Sequence, residues 1–490
     1  RRLRKNWMLP LHLSLKCRLY KRKIQTAAMS RKTGSSLRTD RCPGQVQTEN
    51  RKKIEIQRKS MGKYSDTGCY DAVMVGAGPA GLAAAITLKR TAPDARVLLL
   101  EKMHGPARKL SASGNGRGNL SNVKCEDLEE VLKFFSETGI ALRTDDEGRI
   151  YPYSEDARTV TETLIKRAET EGVVILNDTQ VVNVEACSGK GTGFRVFVSG
   201  KNGDGRHAGG SRPKGQEILR AANMLIATGG KSYGVYGSTG DGYKMAKALG
   251  HTVVPPVPGL TAIETAEPLA SAAGTRVKGE VSLFKDGDLI FKERGEIQFR
   301  DDSISGICVM NMSSMLPAGV SCPDGAGRFE GYMIRINLVP DFSAAALIGF
   351  LRENNLQTAD DCSDGGGCVR SAAVRIPATL VKKAIAEEVQ RRAAKAGRTS
   401  LVDMANLLRG FTLTPVGRKG WKEAQVTRGG VALEEINMLT MESGLVPGLY
   451  FAGEVMDYDG PCGGFNLNNA FSTGVRAGKA MGERITAASR

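Results

Sequence analysis

The sequence predicts an α/β protein that is built around a dinucleotide-binding βαβ unit. An apolar run from Ala72 to Val75 has the pattern of a buried parallel strand, and the Ala- and Leu-rich stretch from Pro79 to Lys89 has that of a helix. Glycines in a GxGxxG pattern stand between the two, and an acidic residue, Glu101, closes the next apolar run. A segment near the C terminus repeats the order strand, glycine-rich turn, helix. We therefore expect one nucleotide-binding domain, made from both ends of the chain, with other domains inserted between them.

The three glycines of the first turn have separate tasks. Gly76 allows the tight turn, Gly78 lets the backbone approach a pyrophosphate, and Gly81 lets helix and strand pack closely. Pyrophosphate oxygens would accept hydrogen bonds from the free N–H groups at the helix start, where the helix dipole is positive. The candidate residues of this turn are Gly76, Ala77, Gly78, Pro79, Ala80 and Gly81.

The acidic residue after the second strand selects the kind of nucleotide. Glu101 follows Gly81 by 20 residues, where a carboxylate accepts hydrogen bonds from both hydroxyls of an adenosine ribose. A 2′-phosphate would be repelled there. The turn therefore predicts FAD or NAD rather than NADP, with Glu101 and its neighbour Lys102 as candidate contacts.

The positive charge of the chain is concentrated at one end. The formal net charge is +17, but residues 1–68 contain 19 Lys and Arg against 4 Asp and Glu, and the remainder contains 50 against 48. We expect residues 1–68 to form a basic disordered tail. Three interpretations of it stay open: an Arg-rich transit peptide, an arm for nucleic acid or a membrane surface, or a segment outside the natural protein, since Met61 would be an ordinary start.

The cysteine and histidine pattern favours neither a metal site nor a disulfide framework. Ten cysteines are scattered without a CxxC pair, and the chain contains four histidines. We expect no metal and a reducing, cytoplasmic location. No apolar stretch approaches the roughly 18 residues of a membrane-spanning helix.

Changes of composition along the chain predict the domain boundaries. They give a first part of the FAD-binding domain over 69–254, a β-rich insertion over 255–340, a helical insertion over 341–408 and a second part of the FAD-binding domain over 409–490. Within the first part, 173–176, 179–185 and 193–199 resemble a small β-meander. In the β-rich insertion, Asp286-Gly287 predicts the turn of a hairpin.

Further candidate contacts lie in loops of the first part. The loop after Glu101 is dense in Gly, Ser and Asn, as ligand-contacting loops are, and its candidates are Lys109, Ser113, Gly114, Arg117 and Asn119. The cationic side chains would neutralise a pyrophosphate or hold an anionic substrate, or else remain solvated. A second strand that ends in glycines supplies Ala227, Thr228 and Gly229, which with Val181 would approach the adenine and ribose.

The C-terminal segment supplies a second group of candidates. Gly453 and Glu454 end a buried strand, where the carboxylate would hydrogen-bond the ribityl chain of a flavin. Gly463, Gly464, Phe465 and Asn466 begin the last helix, whose N–H groups would face the flavin N1 and O2 edge and stabilise negative charge there.

Several motifs together resemble a family of bacterial flavoproteins. They are RKLSASGNGRGN, ATGG, GSTGDGYKMAKALGH, GEIQFRDDSISG and the block that runs from TRGGVALEE to NNAFSTG. These are similar to the BaiN-like NAD(P)/FAD-dependent oxidoreductases, which include a dehydro-bile acid reductase and an aminoacetone oxidase. The resemblance implies a discontinuous FAD domain of the glutathione-reductase type, interrupted by a β-barrel-like domain and a helical domain.

The predicted function is an FAD-dependent oxidoreductase. It would transfer a hydride or electron pair between NAD(P)H, bound transiently, or another donor and a small organic substrate, with enone reduction implied by the resemblance. No side chain in the motifs is an evident catalytic acid or base. The alternatives are a nucleic-acid-binding or RNA-modifying flavoprotein and a sensor that binds FAD without turnover.

Overall fold

The computed structural model describes residues 69–187, 193–200, 216–317, 329–356 and 374–490. The tail predicted over 1–68 lies outside these residues. The strands are β1 Tyr70–Val75, β2 Val97–Leu100, β3 Ser121–Asn122, β4 Leu142–Thr144, β5 Arg149–Pro152, β6 Val174–Leu176, β7 Thr179–Ala186, β8 Phe194–Gly200, β9 Gln216–Ile226, β10 Val253–Gly259, β11 Ile263–Thr265, β12 Arg276–Lys285, β13 Asp288–Phe299, β14 Ser303–Ser305, β15 Tyr332–Asn337, β16 Phe411–Leu413, β17 Pro415–Arg418, β18 Val426–Val431 and β19 Leu449–Phe451. The α-helices are α1 Pro79–Thr91, α2 Arg108–Ser111, α3 Leu128–Thr138, α4 Ala157–Thr170, α5 Asp241–Ala248, α6 Ile307–Ser313, α7 Ala344–Leu356, α8 Lys383–Lys395, α9 Leu401–Arg409 and α10 Phe465–Ala488.

A parallel sheet joins the two ends of the chain, as the sequence predicts. β1 pairs in parallel with β2 on one side and with β9 on the other. β6 extends the sheet beyond β2, and the C-terminal strand β19 pairs in parallel with the end of β9. β1 and β2 are largely buried, as expected for strands covered on both faces.

One strand that the sequence assigns to the meander belongs to the parallel sheet. β7, β8 and the first half of β9 form an antiparallel meander. β6 instead pairs with β2. Ile175 and Leu176 are both buried although they are adjacent in the strand, so both of its faces are covered. The expectation of a meander that includes 173–176 is therefore wrong for that strand.

The insertion contains a seven-stranded antiparallel sheet that curls towards closure. Its order is β16–β15–β12–β13–β14–β11–β17. The β12–β13 hairpin turns at Asp286 and Gly287, both with positive φ, which confirms the predicted turn. Thr414 alone separates the two edge strands, β16 and β17, in sequence. Because one residue spans only about 3.5 Å, the two edges must approach each other, which agrees with a barrel-like domain.

The boundary predicted at residue 409 lies too early in the chain. β16 and β17 pair with β15 and β11 of the insertion sheet, so the insertion continues to Arg418. The helices α7, α8 and α9 share one apolar core with this sheet. After β17, strand β18 pairs with β10 and leads the chain back to the nucleotide-binding domain.

Two helices of the nucleotide-binding domain pack in parallel at unusually close range. A Cβ added to Gly474 of α10 would lie 2.4 Å from the Ala80 carbonyl oxygen of α1, and one added to Gly478 would lie 2.3 Å from that of Ala84. The contacts advance by four residues in both helices, so the helices run in the same direction. Their N-termini consequently point to the same side of the domain.

Gly478→Ala should destabilise the fold because the added methyl group has no space between the helices. Overpacking of this kind costs about 1–3 kcal/mol. Gly349→Ala in α7 is the matched control, since nothing lies within 4 Å of its added Cβ. In urea unfolding, Gly478→Ala should lower the midpoint, whereas Gly349→Ala should leave it unchanged or raise it, because Ala exceeds Gly in helix stability by about 0.5–1 kcal/mol. Equal midpoints for the two variants would contradict the close contact.

Candidate functional site

A cavity of about 1290 Å³ opens at the carboxyl ends of the parallel strands and reaches the insertion. Ligand pockets commonly hold a drug-sized molecule in roughly 300–1,000 Å³, so this cavity has room for a dinucleotide and part of a second molecule. Its walls come from the glycine-rich turn, the loop after β2, the start of α10, and the strands β12 and β13.

The first glycine turn has the conformation that its sequence predicts. Gly76 has φ +103°, and a Cβ there would lie 2.5 Å from the Ala227 carbonyl oxygen. Gly81 packs beneath it, since its added Cβ would lie 2.0 Å from the Gly76 carbonyl oxygen. Gly78 caps α1 without a side-chain hydrogen bond and leaves open space where a Cβ would be. The first N–H groups of α1 are therefore free to bind an anion.

Glu101 is held in place at the end of β2. Its Oε2 accepts a hydrogen bond from the Ala77 N–H at 3.1 Å, and its Oε1 accepts one from the Met103 N–H at 2.9 Å. Burial raises the pKa of this carboxyl group, while the two N–H groups partly offset that rise. Each oxygen keeps a lone pair for a ribose hydroxyl. The neighbouring Lys102 contacts Asp241 at 2.5 Å.

Lys109 and Glu454 form an ion pair across the cavity wall. Their Nζ and Oε2 atoms are 2.7 Å apart, and Lys109 also donates to the Ser232 hydroxyl at 2.8 Å. Glu454 Oε1 accepts from the Thr427 N–H at 2.7 Å and from Ser232. Glu454 lines the cavity, but both of its oxygens already have protein partners. A ribityl hydroxyl would have to use the remaining lone pairs.

Two polar side chains of the loop after β2 have no partner in the described residues. Ser113 Oγ and Asn119 Oδ1 are buried atoms without a hydrogen bond, and both residues line the cavity. Unpaired buried polar atoms are costly, so atoms of this kind in a cavity wall fit a ligand that supplies the missing hydrogen bonds. The predicted dinucleotide fits this part of the wall. Arg117, from the same loop, lies over the Tyr151 ring.

The start of α10 forms the other end of the same cavity wall. Gly464 caps the helix with φ +104° and no side-chain hydrogen bond, and a Cβ there would lie 2.3 Å from the Ser121 carbonyl oxygen. Asn466 closes the preceding loop by bonding the Gly460 N–H and carbonyl group, at 2.9 and 2.8 Å. The N–H groups of the first turn of α10 thus lack an intrahelical acceptor beside the cavity.

Most of the candidate contacts named from the sequence line the cavity. They are Gly76, Gly78, Pro79, Ala80, Glu101, Lys102, Lys109, Ser113, Gly114, Arg117, Asn119, Val181, Ala227, Thr228, Gly229, Gly453, Glu454, Gly463, Gly464 and Asn466. Ala77, Gly81 and Phe465 do not line it. The Ala77 N–H donates a hydrogen bond to Glu101, and Gly81 packs against Gly76. Phe465 is the first residue of α10.

Sequence reasoning missed the wall that the insertion supplies. Glu293 of β13 lines the cavity and accepts hydrogen bonds from Asn311 of α6. Gln425 and Tyr233 line it near Cys462. The GEIQF motif, which begins two residues after Glu293, predicts this strand. The role of Glu293, however, depends on a contact between domains that no local sequence pattern encodes.

Burial disfavours the thiolate form of the thiol in the cavity. Burial, with a smaller contribution from Glu293, raises the pKa of Cys462 to about 12. Within the described residues, no group of three or more His, Cys, Asp and Glu side chains is placed to hold a metal ion. In the same residues, no helix is long and apolar enough to cross a membrane.

Several known proteins resemble this chain. Residues 125–480 match the family model described as HI0933-like protein Rossmann domain. The chain is 30% identical over 436 residues, which are 84% of this chain and 98% of the relative, to a 3-dehydro-bile acid delta(4,6)-reductase of Clostridium scindens. It is 27% identical to a ribosomal RNA dihydrouridine synthase of Escherichia coli, over 82% of this chain and 96% of the relative. Among solved structures, a flavocytochrome c3 fumarate reductase in its open conformation has a TM-score of 0.46 and 16% identity, over 92% of this chain and 83% of that one.

Glu101→Gln should weaken the binding of ADP to protein that has been stripped of nucleotide. The neutral amide lacks the negative charge that strengthens hydrogen bonds from the ribose hydroxyls. We expect the binding free energy to weaken by about 1.5–3 kcal/mol, or roughly 10- to 100-fold in affinity. Calorimetric titration measures this. Glu137→Gln, which alters a carboxylate outside the cavity that pairs with Arg90, is the control and should bind like the wild type. Wild-type protein that prefers an ADP carrying a 2′-phosphate would contradict the assigned role.

Proposed function

Because the chain belongs to the family of HI0933-like proteins with a Rossmann domain, we propose that it is an FAD-dependent oxidoreductase that reduces a small organic substrate. The observation that carries this proposal is the single cavity, in which a dinucleotide cradle and the wall of a second domain meet. The bound flavin supplies a hydride donor, and the protein supplies position, charge and protons.

The residues that hold FAD follow from the two ends of the cavity wall. The first turn of α1 binds the pyrophosphate through its free N–H groups, and Glu101 binds the adenosine ribose. Ser113 and Asn119 use their unpaired oxygens on the cofactor. The start of α10 at Gly464 supports the pyrimidine edge of the flavin, where negative charge accumulates when the flavin is reduced.

The substrate is a molecule with a carbon–carbon double bond conjugated to a carbonyl group. A delta(4,6)-reductase of a 3-dehydro bile acid acts, by its name, on double bonds conjugated to the ketone at carbon 3. A dihydrouridine synthase reduces the uracil double bond, which is conjugated to the ring carbonyl. Both named reactions reduce a conjugated double bond, although their substrates differ in size. The comparisons therefore support the type of bond that is reduced more strongly than the identity of the substrate.

The charge of residues 69–490 favours a small substrate over an RNA. Residues 69–490 contain 50 Lys and Arg against 48 Asp and Glu. Binding of nucleic acid relies on neutralising several phosphates, which a nearly neutral body supports poorly. A base within a structured RNA would also have to be turned out of its stack to enter the cavity. Reduction of a uracil in RNA is therefore the second candidate, carried by the similarity to the dihydrouridine synthase.

The electron donor is NADH or NADPH, which binds transiently. The sequence contains no second GxGxxG motif between a strand and a helix, so we propose no separate domain for binding NAD(P)H. A donor of this kind would use the part of the cavity that the insertion forms, and it would leave before the substrate enters.

Anaerobic mixing of the flavin-loaded protein with NADH and with NADPH should bleach the flavin absorption. A second mixing with cyclohexenone, or with a steroid that carries a conjugated 3-ketone, should restore it and yield the saturated ketone. A uridine-containing RNA is the competing acceptor, and restoration by RNA alone would favour the second candidate. Protein that is yellow but is not bleached by NADH, NADPH or dithionite would be a sensor and would contradict the oxidoreductase proposal.

A further inference from the structure

Glu293 differs in its surroundings from the other carboxylates of the cavity. Most of them pair with a cation, in the ion pairs Glu147–Arg149, Asp241–Lys102, Glu296–Arg276, Asp341–Arg294, Glu423–Arg300 and Glu454–Lys109. Glu101 is held by two backbone N–H groups at the ribose end. Within the described part of the chain, Glu293 has no ion-pair partner, and its hydrogen bonds come from the uncharged Asn311 amide.

Asn311 links Glu293 to the glycine loop at the start of α10. Its Oδ1 accepts a hydrogen bond from the Cys462 N–H at 2.8 Å, and its Nδ2 lies 3.0 Å from both carboxyl oxygens of Glu293. The Cys462 N–H needs an acceptor, so the amide orientation is fixed and Nδ2 must face Glu293. Glu293 is thus held two hydrogen bonds away from the loop that includes Gly463 and Gly464.

This geometry suits a carboxylic acid that keeps its proton. Burial raises the pKa of Glu293, and the Asn311 hydrogen bond and the charge of Lys124 only partly offset the rise. The neighbouring ionisable groups, Cys308 and Cys462, have pKa values near 12 and remain neutral. Both carboxyl oxygens lie within hydrogen-bond distance of Asn311 Nδ2, so either can accept from it in the neutral acid, while the hydroxyl proton has no acceptor among the described residues. The hydroxyl group is free to donate into the cavity that Glu293 lines.

We propose that Glu293 is the catalytic acid that protonates the substrate carbon next to the carbonyl group. This inference rests on the proposed function. The hydride, with its two electrons, goes from the reduced flavin to the carbon at the far end of the double bond. The π bond breaks, the electron pair moves towards the carbonyl group, and the carbon beside that group takes the proton of Glu293. The substrate gains two hydrogens, the flavin is oxidised, and the Glu293 carboxylate takes a proton from water.

Glu293→Gln tests the proposal because the amide keeps the hydrogen bond to Asn311 but cannot donate a proton as an acid. Photoreduced holoprotein is mixed without oxygen with cyclohexenone, and in a separate experiment with oxygen, which offers no carbon to protonate. We expect the reaction with cyclohexenone to slow about 100-fold or more, as loss of a general acid does, and that with oxygen to change less than about twofold. The wild-type rate should fall as pH rises through the pKa of Glu293, because only the protonated form donates. The variant should lack this dependence.

Two further variants separate the role of an acid from a structural role. Glu137→Gln, which alters a carboxylate outside the cavity that pairs with Arg90, should react like the wild type with both acceptors. Glu293→Asp retains an acid on a shorter side chain, and should recover part of the rate and the pH dependence. If Glu293→Gln reacts with cyclohexenone like the wild type, or if Tyr233→Phe alone causes the loss, Glu293 is not the acid.

A readout without turnover tests the position of Glu293 independently. The absorption spectrum of the oxidised flavin should shift with pH as Glu293 ionises nearby, and this shift should vanish in Glu293→Gln and persist in Glu137→Gln. A shift that persists in Glu293→Gln overturns the role of Glu293. Wild-type protein that is reduced but never reoxidised by an enone overturns the proposed function instead, and the two failures are therefore distinguishable.

Discussion

The close parallel contact between α1 and α10 is the constraint on which the site depends. Ala80 and Ala84 of α1 face Gly474 and Gly478 of α10 so closely that a single methyl group would not fit between the backbones. Because both helices run in the same direction, their positive ends face the same cavity. Two segments that are nearly 400 residues apart in sequence thereby line one cavity.

The register of this contact also sets the length of the wall. Ala80 lies two residues after the N-cap Gly78, whereas its partner Gly474 lies ten residues after the N-cap Gly464. At 1.5 Å per residue, α10 therefore begins about 12 Å beyond the start of α1. Two staggered helix starts would offer a dinucleotide hydrogen-bond donors at the pyrophosphate and again at the far end of its second ring system.

The sequence predicts those parts of the site that short patterns determine. Gly76 to Gly81, Glu101 and the start of α10 are each specified by residues within one turn or strand end, and the structure places most of them in the cavity wall. Features that depend on pairing between distant segments were missed. β6 pairs with β2 in the parallel sheet, where both of its faces are buried. β16 and β17 belong to the insertion because they pair with β15 and β11 of its sheet. Glu293 gains its significance only when Asn311 and Cys462 meet it across two domains.

The cavity divides charge between its two parts in a way that suits reduction of a polar double bond. Where the dinucleotide would bind, the acidic side chains are compensated: Glu454 by Lys109, and Glu101 by two N–H groups. Both carboxyl groups can accept hydrogen bonds from hydroxyl groups. At the insertion, Glu293 is half-buried and has no ion-pair partner among the described residues, and burial raises its pKa. The proposed roles of these groups, acceptor and proton donor, follow from their different partners. Glu454 faces a cation and Glu101 faces two backbone N–H groups, whereas Glu293 faces the uncharged Asn311 amide. Glu293 belongs to the insertion, so its carboxyl group reaches a cavity that the glycine-rich turn also lines only because the two domains meet there.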